Sequence, residues 1–199
     1  MELRQATFKD WDILLRWRND PLTRRNSLNS DIIEEEPHKK WLKKSLTEEG
    51  VDIYILNDAG KDVGMIRSDF VKLNTYVLSW NIAPEFRGFG YGNKILKTFL
   101  DNNTGNFIAE IKTENIPSIK MVNKLGFEKT DDIKYTKNMT DLDIIDEIEK
   151  VRGKNNVNWM DILRLAFKHA PDEAREIMSR INSDDGEISK LLKQLSEND

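Results

Sequence analysis

The 199-residue chain has no cysteine, only two histidines and only five prolines. The missing cysteine excludes disulfide scaffolds, thiolate zinc sites, iron–sulfur clusters and cysteine nucleophiles together. Apolar runs reach only a few residues, and the N-terminal stretch MELRQATFKDWD lacks the apolar core of a signal peptide. Neither a membrane span nor export is therefore expected, and the expected compartment is the cytoplasm. Charge of one sign is also missing: residues 1–139 carry 22 Lys+Arg against 21 Asp+Glu, net +1, and residues 140–199 carry 9 against 14, net −5. A nucleic-acid binder needs a basic domain or stripe, so nucleic acid and anionic membrane are poor expected partners. What is present is a 38% hydrophobic content, enough for a buried core, beneath 33% charged residues.

Periodicity predicts interleaved strands and helices. Residues 2–6 form a short candidate strand, and Thr7 with Asp10 fits a capping box opening a helix through Trp11, Leu14, Leu15 and Trp17, which Pro21 is expected to stop. A second helix is expected from Glu36-Pro37 through Trp41, Leu42 and Leu46. VDIYILN (51–57), DVGMIRSDF (62–70) and YVLSWNIA (76–83) alternate as a three-stranded meander, the first two joined by the turn Asp58-Ala59-Gly60-Lys61. A helix follows the glycine-rich stretch 84–92; then come a strand over 107–112, a helix over 116–126 closed by Gly126, and two short strands, FEKT and KYTKNM. The reading is an α+β fold of helices on a mixed sheet over residues 1–139. From about Thr140 the pattern changes to amphipathic helices, punctuated at Asn155-Asn156, Pro171 and Asn182-Ser183-Asp184, and predicts a separate small all-α module of three or four helices over 140–199.

The loop Arg87-Gly88-Phe89-Gly90-Tyr91-Gly92 stands between a strand and a helix, where glycines admit a ligand close to the backbone and helix-opening amides face an anion. Its glycine spacing fits neither a dinucleotide fingerprint nor a Walker loop, which needs Gly-Lys-Ser/Thr where this chain reads Gly92-Asn93-Lys94. The loop resembles the R/Q-x-x-G-x-G/A pyrophosphate loop of the GNAT acetyltransferases, and Asn115-Ile116-Pro117-Ser118 through Lys124-Leu125-Gly126-Phe127 resembles that family's second signature. The resemblance covers about residues 1–139 and implies a GNAT-like, mostly antiparallel central sheet flanked by helices. It implies acetyl-CoA as cosubstrate and no metal, with Ile82, Ala83, Arg87, Gly88, Phe89, Gly90, Tyr91, Gly92, Asn115 and Lys120 on the cofactor side. Asn115 also reads as an ordinary helix N-cap and Lys120 as a solvated lysine. Two family positions depart from the pattern: Val77 stands where a glutamate base is common and Val122 where a tyrosine acid is common. That leaves His38, Asn115 and Ser118 as catalytic candidates, His38 also reading as an exposed residue of a helix's first turn.

The stretches Trp17-Arg18-Asn19 and His38-Lys39-Lys40-Trp41 are similar to a pattern in GNAT enzymes that acetylate nucleotide-linked amino-dideoxy sugars of pseudaminic- and legionaminic-type pathways. The resemblance implies a setting in surface-polysaccharide biosynthesis and an acceptor side formed by Arg18, Asn19, Arg24, His38 and Trp41. Arginine suits bidentate recognition of a diphosphate. An acceptor amine with a pKa near 8 also has roughly two to three orders of magnitude more neutral form at pH 7 than lysine near 10.4. The alternatives are a protein N-terminal acetyltransferase of the ribosomal-protein type, and a non-catalytic acetyl-CoA-binding or assembly module. Residues 140–199 are expected to serve self-association, docking to a pathway enzyme, or stability alone.

Overall fold

The computed structural model describes residues 1–197. It divides into two compact units, Met1–Asp143 and the residues from Ile144 onward. In the first unit the order is β1 (Glu2–Gln5), α1 (Trp11–Asn19), α2 (Pro21–Asn26), α3 (Glu35–Ser45), β2 (Val51–Asp58), β3 (Lys61–Lys72), β4 (Thr75–Ile82), α4 (Tyr91–Asn102), β5 (Asn106–Glu110), α5 (Ile116–Lys124), β6 (Glu128–Lys129) and β7 (Lys134–Lys137). The strands form one sheet in the order β1-β2-β3-β4-β5-β7-β6. Every pair is antiparallel except β4 with β5. This is the mixed, mostly antiparallel sheet expected from the sequence.

Alternation along the strands fills both faces. Leu56, Ile66 and Leu78 pack with Ile95, Leu96 and Phe99 of α4 and Val122 of α5. Ile53, Ile55 and Met65 turn the other way onto Leu14 and Trp17 of α1 and Leu42 of α3. Before α1, Thr7 donates to the Asp10 carboxylate from its backbone N–H at 2.7 Å and from its hydroxyl at 3.0 Å. Arg4 then joins that carboxylate to Asp62, each at 2.7 Å, which ties β1 to the helix entrance and to β3. α1 ends at Asn19 as expected, with Asp20 extended at ψ 135°, but a further helix that was not expected starts at once. Asp20 caps a short α2 by accepting from the Thr23 N–H at 2.9 Å, and Pro21 occupies the first turn, where its missing N–H costs nothing.

The C-terminal unit holds two long helices, α6 (Asp141–His169) and α7 (Pro171–Glu197), rather than three or four short ones. The asparagines and the Asn182-Ser183-Asp184 stretch lie within helix, because such residues cost only about 0.5–0.7 kcal/mol each against alanine. Pro171 alone marks a break, and it is tolerated as a first-turn residue. The expected burial of the apolar stripes is not found within this unit. Ile145, Ile148, Trp159, Ile162, Ile177, Ile181, Ile188, Leu191 and Leu192 are all exposed, and among the described residues of this unit only Ala174 is fully buried.

Candidate active site

β4 and β5 pair only from Thr75 with Asn106 to Leu78 with Ala109. Beyond that point β4 continues to Ile82 against β3, while Ile111 donates to the carbonyl of Ile133 on the far side. The two strands part, and past Leu78 the β5-facing backbone of β4 has no strand beside it. A cavity of about 520 Å³ opens at the parting, lined by Trp80–Ile82, the loop around Gly88–Gly92, and Asn115, Pro117, Ser118 and Met121.

The loop geometry suits an anion. Gly88 and Gly90 have φ of +82° and +78°, the left-handed region that glycine enters without penalty, and nothing lies within 4 Å of where their side chains would start. Gly90 caps α4, so the first amides of a 12-residue helix open onto this space. Asn93, in that first turn, lines the cavity with a buried Oδ1 that has no partner in the protein. The glycines and the helix amides fit a pyrophosphate approached by backbone donors. Arg87 borders the cavity, but its guanidinium is taken up inside the protein. Nη2 donates to Asp20 at 2.5 Å and to Thr23 at 2.8 Å, and Nε donates to the Ile82 carbonyl at 3.2 Å. It holds the loop against α2 and β4. Tyr91 also lines the cavity, with its hydroxyl donating to Asp58 at 2.7 Å, a bond that raises its pKa.

Three residues expected on the cofactor side stand elsewhere. Ala83 is fully buried, its N–H donating to Val63 and its carbonyl accepting from Phe86. Phe89 is 69% exposed at the loop's tip and Lys120 lies on the solvent side of α5; neither lines the cavity. On α5, Asn115 accepts from the Ser118 N–H at 3.4 Å as an N-cap while bordering the cavity. One turn beyond Ser118 the cavity-facing residue is Met121, whereas Val122 is buried in the core. The position read as a departure from a tyrosine acid therefore does not reach the site. Val77 likewise lines neither cavity; of the residues of β4, Asn81 is a polar one that lines both.

A second cavity, also about 520 Å³, adjoins the first and shares Thr23, Ser27, Trp80 and Asn81 with it. Arg18, Pro37, His38, Trp41, Met65, Arg67 and Ser79 are among its other walls. His38 is only 2% exposed, which removes the reading as a solvated first-turn residue. Its ring lies 5.2 Å from that of Trp41. Burial pulls its pKa down, against a smaller opposing hydrogen bond to the Trp11 backbone, and Nε2 has no partner. Arg18 donates from Nη2 to the Asn29 carbonyl at 2.7 Å, while its buried Nη1 is unpaired. Burial and then Arg24 disfavour its charge, an imbalance that an incoming anion would relieve. Arg67 is held by Asp69 and by Ser45 and lies over Trp41. Among the described residues, no aspartate or glutamate lines either cavity. Two residues expected on the acceptor side are committed elsewhere. Asn19 bonds both backbone groups of Ile33, at 2.7 and 2.9 Å, and exposed Arg24 donates to Ser30.

Asn81, Asn93 and Arg67 were not singled out in the sequence. The signal available for Asn81 was that it follows Ser79 as a second polar residue on one face of the strand, near its end. Among the described residues, no cluster of three His, Asp or Glu side chains could hold a metal ion.

A model of the acetyltransferase (GNAT) domain matches residues 1–128. The chain is 23% identical over 134 residues to the uncharacterized N-acetyltransferase YnaD of Bacillus subtilis (strain 168), covering 64% of this chain and 78% of that protein. It shares its fold with the ribosomal-protein-alanine N-acetyltransferase of Brucella melitensis, with a TM-score of 0.58 at 22% identity over 70% of this chain and all of that one. The fold is also that of the spermidine N-acetyltransferase of Vibrio cholerae, in complex with CoA and spermine, with a TM-score of 0.61 at 15% identity over 69% of this chain and 92% of that one.

Proposed function

From the premise that the chain belongs to the GNAT acetyltransferase family and is an acyl-CoA-dependent N-acetyltransferase, we propose that its acceptor is a small amine that also carries negative charge, as a nucleotide-linked amino sugar does. The observation that carries this reading is the second cavity, whose described lining holds no carboxylate and where Arg18, unlike Arg67, which is paired with Asp69, keeps a buried Nη1 without a partner. A polyamine placed there would bring a cation beside the Arg18 guanidinium, whereas a phosphate would complete its bonding.

Acetyl-CoA, when bound, supplies the acyl group as a thioester open to attack by the acceptor amine. In this reading the amides opening α4 hold its pyrophosphate arm, the Asn93 Oδ1 accepts from a donor elsewhere on the cofactor, and Arg87 keeps the loop in place. At the junction of the two cavities, the unpaired Oδ1 of Asn81 accepts from the amine N–H and aims the nitrogen lone pair at the neighbouring cavity. His38 receives the amine proton at Nε2. Its lowered pKa keeps the imidazole neutral at pH 7, the state a base requires. Ser118, one of the residues lining the first cavity, donates a proton on the leaving-group side in this reading.

The test is an acceptor panel read by thiol release and mass spectrometry: UDP-linked amino sugars, spermidine and N-terminal peptides. Turnover confined to the amino sugars is expected. Replacing Arg18 by alanine should raise the acceptor KM roughly 10- to 100-fold, the range for a lost charge-assisted hydrogen bond, and leave the acetyl-CoA KM near its original value. Preferred turnover of spermidine or of peptides would refute the anionic acceptor.

A further inference from the structure

Helix α6 presents an apolar face that the rest of its unit does not cover, and its sequence is self-complementary about its midpoint. Asn155 is the central residue of Asp141–His169. Stepping away from it by 4, 7 and 11 residues in both directions stays on one helical face. Those steps meet Val151 and Trp159, then Ile148 and Ile162, then Ile144 and Ala166. The large members of this seam are 45–60% exposed. Charge has the opposite symmetry. Residues 141–149 hold five carboxylates and no cation, while residues 150–169 hold five Lys+Arg and one aspartate.

We propose that two copies of this chain associate through α6, the two helices running antiparallel about a two-fold axis at Asn155. That arrangement lays the five carboxylates of residues 141–149 of one helix along residues 161–169 of the other, where Arg164 and Lys168 stand with a single Asp161, and seats each large residue of the seam opposite an apolar one. A parallel pair would set the five carboxylates of one copy beside those of the other. The antiparallel pair also places the two Asn155 amides together, where each can donate to and accept from the other. A lone amide within an apolar seam is known to fix register in this way, at a cost in stability. Ten large apolar side chains of α6 are exposed, more than the scattered single residues that are normal on a monomer's surface. A membrane is the wrong partner, because residues 140–199 carry net −5 and lack the basic polar face of an interfacial helix.

The natural absence of cysteine makes a clean test possible in the full chain. Sedimentation velocity should show a species of twice 23.2 kDa. The double variant Ile148→Glu/Ile162→Glu should sediment as a monomer while retaining acetyl-CoA turnover, which shows that the sheet-based unit is folded, and the parent's helical circular dichroism at low temperature, which shows that α6 is. With diamide as oxidant, Asn155→Cys should give a covalent dimer. Asp141→Cys should not, since its two copies would stand about 42 Å apart along the antiparallel pair at 1.5 Å per residue. A monomeric parent chain, a dimer that survives the double glutamate variant, equal cross-linking at both positions, or sedimentation with anionic vesicles in place of self-association would each overturn the proposal.

Discussion

Buried polar atoms without partners are rare, and each costs about 1–3 kcal/mol. Of the five such side-chain atoms among the described residues, four, Arg18 Nη1, His38 Nε2, Asn81 Oδ1 and Asn93 Oδ1, belong to residues lining two adjoining cavities, and the fifth, Trp17 Nε1, lies in the core. The four at the cavities are what a bound substrate would satisfy, so these unpaired atoms trace its path. His38 gives the sharpest prediction at this scale. Because burial depresses its pKa, the neutral ring is favoured, and kcat/KM should hold until the pH drops below 6.5 and fall as the ring gains a proton. His38→Gln should lower kcat about 10²- to 10⁴-fold and remove that acid limb. The same burial affects stability. The unfolded chain takes up a proton near pH 6.5 before the folded one does, so the parent should lose stability as pH falls through that region and the variant should not, as urea titrations at pH 7.5 and 5.5 would show. Asn81→Leu should lower kcat more than it raises the acetyl-CoA KM, and Asn81→Asp should recover part of the loss. The sequence named His38 but left its burial open, because the first turn of a helix is as often solvated as packed. Asn81 escaped notice because a strand's alternation does not reveal where its neighbour departs.

At the scale of elements, the site exists because two paired strands part and a glycine-capped helix begins beside the parting. The loop was legible, since three glycines between a strand and a helix have a physical reason to be there. The meander was legible from its alternation. The added helix α2 was not, because Pro21 can stop one helix and start the next, and only the Asp20 cap decides which. Gly92 offers a test of the cavity without backbone strain. Its φ is ordinary, and a side chain there would start 3.2 Å from the Met121 sulfur. Gly92→Leu should therefore fold, with thermal stability within about 1–2 kcal/mol of the parent, and bind acetyl-CoA at least tenfold more weakly by calorimetry. Another element-level tie is Arg4 between Asp10 and Asp62. Burial raises the Asp10 pKa, but the bonds from Arg4 and Thr7 outweigh it and hold the pKa below the ordinary value. Its contribution is thus present above about pH 4 and lost as pH falls through the lower folded value. Asp10→Asn should cost roughly 2 kcal/mol at pH 7 and less at pH 3, below the ordinary aspartate value, measured by urea unfolding at both.

For the molecule as a whole, the division into a sheet-based unit and a helical one was legible from the change of period near Thr140. The number of helices was not, because asparagine and aspartate resemble punctuation in a sequence yet are cheap inside a helix. The two units differ in how they are held. The first has two apolar clusters on the faces of its sheet, whereas the second has almost nothing buried of its own. Heating should therefore melt α6 and α7 first, at a temperature that rises with protein concentration, seen as an early loss of helical circular dichroism that leaves acetyl-CoA binding in place. The sheet itself is also less unified than seven strands in one order suggest. β1 to β4 form one block, β5 to β7 another, and the two are joined by four facing residue pairs. A joint so short is a line of compliance, along which the blocks can flex without either losing its internal ladder. A ligand spanning the parting acts there as a rivet. Saturating acetyl-CoA should slow amide exchange on both sides of the joint, in β4 and in β5, while leaving β1, at the far edge, unchanged.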